Sequence, residues 1–151
     1  MNPQEFQTFA DNYTSEDFER ISFQWQGGYG ADFKDLNYYF RIHLCEYLIP
    51  QLNQTKLELI KDLYLEVGKT SDYTFGCYLN FNLPGQELLE RGGTAYLTAY
   101  LQGAAHTMDT ALTSGKINLS RPIGLANNFF GWGIIARLDD MDGIHLPTGG
   151  R

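Results

Sequence analysis

Apolar positions along this chain change period several times, and each change marks the edge of a predicted element. The first 20 residues read as two short helical pieces. Pro3 suits the first turn of one, and Ser15 suits the cap of a second with Phe18 and Ile21 on one side. Ile21, Phe23 and Trp25 then alternate with Ser22, Gln24 and Gln26, a half-buried strand pattern that Gly27, Gly28 and Gly30 bring to an end. From an N-cap at Asp32, the residues Phe33, Leu36, Phe40, Leu44 and Tyr47 recur at helical spacing to about Ile49, with Lys34 and Arg41 facing out and Pro50 as the stop. Thr55 and Glu58 have the spacing of a capping box. Leu57, Ile60, Tyr64 and Val67 form the next stripe, with Gly68 as its C-cap. The short connection predicts an antiparallel helical hairpin over residues 32–67.

Strand period returns where Phe75, Cys77, Leu79, Phe81 and Leu83 alternate with Thr74, Gly76, Tyr78, Asn80 and Asn82, and Pro84-Gly85 closes that run. A short helix is expected from Gln86 to Glu90. A long one follows from a Thr94 cap to Ser114, with Leu97, Leu101, Ala104, Met108 and Ala111 as its stripe and Gly115 after it. Ile117 to Leu119 reads as a short strand. Pro122 to Leu138 carries apolar residues at both spacings, and residues 147–151 read as a fraying tail. With no repeat and no Pro/Ser linker, residues 1–151 are expected to form a single domain. Its expected class is α+β, helix-rich with a small sheet; an all-α fold is the alternative.

Composition narrows the class of partner. The chain of 151 residues is 43% hydrophobic and 15% aromatic, enough for a core without metal or disulfide. Its 18 acidic residues outnumber 11 basic ones, for a net charge of −7. That balance opposes phosphate binding, so no nucleic-acid partner is expected; it suits solubility, or steering towards a basic protein face. Cys45 and Cys77 lack a CxxC spacing. No membrane-spanning run and no apolar leader after Met1 are visible, so a cytoplasmic protein is expected.

Candidate chemistry is sparse. Gly28-Tyr29-Gly30 lacks the third glycine of a dinucleotide fingerprint, and Asp32 beside it would repel a phosphate, so the loop reads as a tight turn. His43 and Glu46, and His106 and Asp109, each stand three residues apart on expected helices. Facing one another, they would supply imidazole and carboxylate ligands for a divalent metal. Asp139, Asp140 and Asp142 precede Gly143, but Leu138 and Gly149 occupy the first and twelfth positions of a calcium loop, so the register fails. No nucleophile motif is present. Tyr38 and Tyr78 fall on the polar faces of their expected elements, where tyrosine serves as an interface anchor. The expectation is therefore a small acidic protein-binding module, of the immunity-protein or antitoxin type, that neutralises a protein with a basic contact face. Tyr38, Tyr78, Asp139, Asp140 and Asp142 are its candidate contacts, and no cofactor is expected. The alternative is an enzyme or metal-binding domain built on His43, Glu46, His106 and Asp109. The sequence does not set the oligomeric state.

Overall fold

Helix α1 (Pro3–Asn12) begins as the sequence predicts, with Pro3 in its first turn, and Asn2 Oδ1 caps it by accepting from Gln4 N at 3.0 Å. A 3-10 turn, Ser15–Arg20, follows; its cap is Thr14 rather than Ser15, in a reciprocal box with Asp17. The computed structural model describes residues 2–120, with the backbone of two short strands at 125–126 and 135–136. Strands β1 (Trp25–Gly27) and β2 (Lys34–Asp35) form an antiparallel ribbon with an irregular register between Trp25 and Gly27. Helices α2 (Tyr38–Leu48), α3 (Leu57–Thr74), α4 (Asn82–Gly92), α5 (Leu97–Ala104) and α6 (Met108–Ser114) complete the body. Strands β3 (Leu125–Ala126) and β4 (Ile135–Ala136) pair antiparallel. The chain is thus helix-rich with small antiparallel ribbons. Among the described residues no helix is long and apolar enough to cross a membrane.

Helix α3 is the axis: it touches α2, α4, α5 and α6. Its predicted stripe faces the core, with Leu57 half-buried, Ile60 and Tyr64 fully buried and Val67 nearly so. Tyr64 is the centre of an aromatic pillar. Its ring stacks on Phe81 at 4.4 Å and lies parallel to Tyr100 at 5.9 Å. Its hydroxyl reaches Tyr100 O at 3.1 Å and Ser114 Oγ at 2.8 Å, while Tyr100 Oη donates to Ser114 O at 2.7 Å. The fit depends on Gly103, where a Cβ would stand 2.2 Å from the Tyr64 ring. Burial holds both phenols well above their ordinary pKa.

Several expectations fail, each for a local reason. The helix predicted from Asp32 starts only at Tyr38, after Asn37; Phe33 and Leu36 precede it, and Leu36 is exposed. Arg41 was expected outside and is fully buried. Thr55 and Glu58 make no box: Lys56 is the N-cap of α3, and Thr55 Oγ1 donates back to Gln51 O at 3.0 Å. Gly68 does not end α3, which runs six residues further. It sits mid-helix because a Cβ there would meet His106 at 2.9 Å. The strand predicted at 74–83 is absent. Phe75 terminates α3, a turn closed by Phe81 N donating to Tyr78 O at 3.0 Å follows, and Pro84-Gly85 lie inside α4, where the first turn tolerates proline. The helix predicted over 94–114 is three pieces: a 3-10 turn at Gly93–Tyr96, then α5, then α6, with Thr107 capping the last. Residues 117–119 form no strand; Asn118 N instead donates to Gln86 Oε1 of α4 at 3.0 Å. Pro50 does not stop the helical path but stands at the start of a 3-10 turn, Ile49–Gln54, between α2 and α3; the two helices touch, with Phe40 half-buried and Ile60 fully buried in one core.

Candidate functional site

The ribbon, its loop and the end of α3 gather aromatic rings on the surface. Tyr73, on the last turn of α3, touches Phe23 at 5.0 Å, Trp25 at 5.3 Å and Tyr29 at 5.6 Å. Tyr29 continues to Phe75 at 6.5 Å. In the other direction Phe33 lies parallel to Phe23 at 6.3 Å and meets Tyr38 edge-on at 5.5 Å, and Tyr38 meets Tyr39 at 5.5 Å. The rings form a continuous ridge. Unlike a core, it is open to water: Tyr29 is 53% exposed, Tyr39 70% and Phe75 75%. Ring stacks favour offset and edge contacts, which rigidify the ridge before anything binds it.

The loop chemistry explains its shape. Gly28 and Gly30 both have positive φ, +75° and +57°. A Cβ on Gly28 would collide with the Asp32 carbonyl, and one on Gly30 would press on the Phe75 ring at 3.2 Å. The tight turn read from the sequence is therefore what the loop is, and it turns Tyr29 onto Tyr73. Phe75 supplies the opposite case. It holds φ +58° at the end of α3, a left-handed conformation that glycine or asparagine normally takes there.

Beneath the ridge lies a buried ion pair that the sequence reading missed. Arg41 and Asp35 side chains are wholly inaccessible and in direct contact. Arg41 Nη1 also donates to Ile21 O at 3.1 Å and Ser22 O at 3.2 Å. Asp35 Oδ1 accepts from Gln24 N at 3.0 Å and Asn37 N at 3.1 Å. Glu66 of α3 accepts from Phe23 N at 2.7 Å. The pair thus clamps the 21–24 segment and β2 to α2, and Glu66 ties the same segment to α3. Arg41 Nε is buried without a hydrogen-bond partner, so the pair depends on these remaining bonds to offset its desolvation. Beside the ridge runs an open groove of about 710 Å³ between the Gly30–Asp32 turn and the start of α2, lined by Phe33, Leu36, Tyr38 and Tyr39.

The sequence-predicted candidates fall in different places. Tyr38 is on the ridge. Tyr78 is half-buried with its hydroxyl enclosed, and burial raises its pKa to about 12. His43 and Glu46 are exposed on α2, and Asp109 is exposed on α6. His106 Nδ1 faces Asp72 Oδ2 at 3.0 Å, an ion-pair contact when the imidazole is protonated. His43, Glu46, His106 and Asp109 do not converge; among the described residues no group of three or more His, Cys, Asp or Glu could hold a metal ion. Asp139, Asp140 and Asp142 lie outside the described residues. Cys45 is buried, which pushes its thiol up to about 12 while Arg41 pulls the other way, and burial raises Cys77 too. Neither thiol is activated. Trp25, Tyr29, Tyr39, Tyr73 and Phe75 were missed as a group because they come from three separate segments. The available signal was Trp25 and Tyr29 flanking a glycine-rich turn. No protein-family model matches this chain, and no curated protein or solved structure matches it either.

Proposed function

We propose that the protein is a small acidic binding module whose aromatic ridge docks a protein partner with a basic contact face, as an inhibitor of the immunity-protein or antitoxin type would. The observation that carries this reading is Phe75. A bulky residue at positive φ costs backbone strain, and a phenyl ring 75% exposed returns little by burial. Folding alone would favour glycine at this position. A ring there, in contact with Tyr29, makes sense as part of a surface completed by a partner. Tyrosine and tryptophan bring large rigid area at low entropic cost, the composition of interface centres. The net charge of −7 supplies the long-range attraction.

The test starts with pull-down and mass spectrometry from the native cell, followed by binding kinetics on the purified partner at several salt concentrations. Association should slow as salt rises past the point where the Debye length falls to ~8 Å, and Tyr29→Ala should speed dissociation. An association rate indifferent to salt would remove the electrostatic half of the reading. Dissociation unchanged by Tyr29→Ala would remove the ridge.

A further inference from the structure

The groove beside the ridge exposes one acid and one base, Asp32 and Lys34. Asp35, its other charged lining residue, is consumed by Arg41. Among the described residues neither Asp32 nor Lys34 has an ion-pair partner. They stand two residues apart on the same lip, with Leu36 68% and Tyr39 70% exposed on the groove and Phe75 beyond Gly30. A two-fold axis through such a lip brings the acid of one copy to the base of the other, and the reverse, at the same time. We propose that this lip is also a self-association surface: in the absence of another partner, two copies of the chain close their ridges and grooves on one another, with Asp32 of each copy paired to Lys34 of the other. A second copy uses both charges of the lip at once. The inference goes beyond the docking role by adding a competing state, in which free protein covers the ridge with itself.

The size of the patch sets the strength. Exposed aromatic side chains present roughly 100 Å² each when about half of a 150–250 Å² ring is open. A handful of them falls short of the ~800 Å² per partner of a standard interface. Two copies also carry a net charge of −7 each and repel at long range, so the dimer is weak and forms only at high protein concentration.

Sedimentation equilibrium on the purified chain, from about 10 to 500 μM, reads this directly. Wild type should show a monomer–dimer equilibrium. Asp32→Lys and Lys34→Asp each set like charges against each other twice across the axis, and each should weaken the dimer about tenfold or more. An equimolar mixture of the two single variants should dimerise again, as should the double exchange Asp32→Lys/Lys34→Asp. Both positions are exposed, and circular dichroism is the check that each variant folds. A chain monomeric throughout the range overturns the proposal. So does a dimer unaffected by the single exchanges, or one that neither the mixture nor the double exchange restores. No partner is present in this experiment, so its failure is separate from any failure of the docking role.

Discussion

Two aromatic assemblies occupy this molecule, in opposite environments. The pillar of Tyr64, Phe81 and Tyr100 has no exposed surface; its phenols are hydrogen-bonded to Tyr100 O, Ser114 Oγ and Ser114 O. The ridge has similar ring spacings, but Trp25, Tyr29 and Phe75 stand in water around a half-buried Tyr73. Glycine serves each differently. In the pillar, Gly85 and Gly103 let helices approach a ring; on the ridge, Gly28 and Gly30 take backbone angles that shape a loop. Stacking geometry alone therefore does not separate a core from an exposed ridge. Burial and hydrogen-bond satisfaction do.

Mutations should break the two assemblies in different ways. The largest effect belongs to the clamp beneath the ridge. Arg41→Ala leaves Asp35 buried without its counter-charge and should cost about 3–5 kcal/mol of stability by urea denaturation. Gly103→Ala drives a methyl into Tyr64 and should cost about 1–3 kcal/mol, because neighbouring helices fix the ring. Tyr64→Phe keeps the stack but removes the hydroxyl from Ser114, for about 1 kcal/mol.

Alkaline titration sharpens the same contrast. The folded-state pKa values of Tyr64, Tyr78 and Tyr100 are raised, so between pH about 10 and those values the native state keeps protons that the unfolded chain releases. Stability should be unaffected by these groups below pH about 10 and fall above it, and Tyr64→Phe should flatten that fall. The smallest effects belong to the ridge itself. Tyr29→Ala should change stability by no more than about 0.5 kcal/mol. Phe75→Gly should leave it unchanged or raise it by up to about 1 kcal/mol, by relieving the positive φ.

The helical half of the fold was legible because its signals are local. Pro3, the stripe from Leu57 to Val67, and Gly115 after Ser114 each act within a turn or two. The failures came where tertiary contacts overrode period. Phe75, Leu79 and Phe81 alternate like a strand, yet Leu79 is 85% exposed and Phe81 fully buried, because the segment is a turn feeding the pillar. Arg41 looked like an outward-facing charge because nothing in the local pattern announces Asp35 and two carbonyls 19 and 20 residues upstream. The ridge was least legible. Tyr38 is visible singly on a polar face, but Trp25, Tyr29 and Phe75 meet only after the ribbon packs against α3, and Tyr78 is half-buried against Cys45, Leu48 and Leu63 instead of standing on the surface.

The central claim is that the ridge exists for binding and not for folding, and Phe75→Gly tests it most directly. Wild type and the variant, immobilised at equal density after their stabilities are measured, are exposed to the partner identified by pull-down. The account predicts that Phe75→Gly folds at least as stably as wild type and retains markedly less partner. Equal retention by the two, or a variant clearly less stable than wild type, would contradict it.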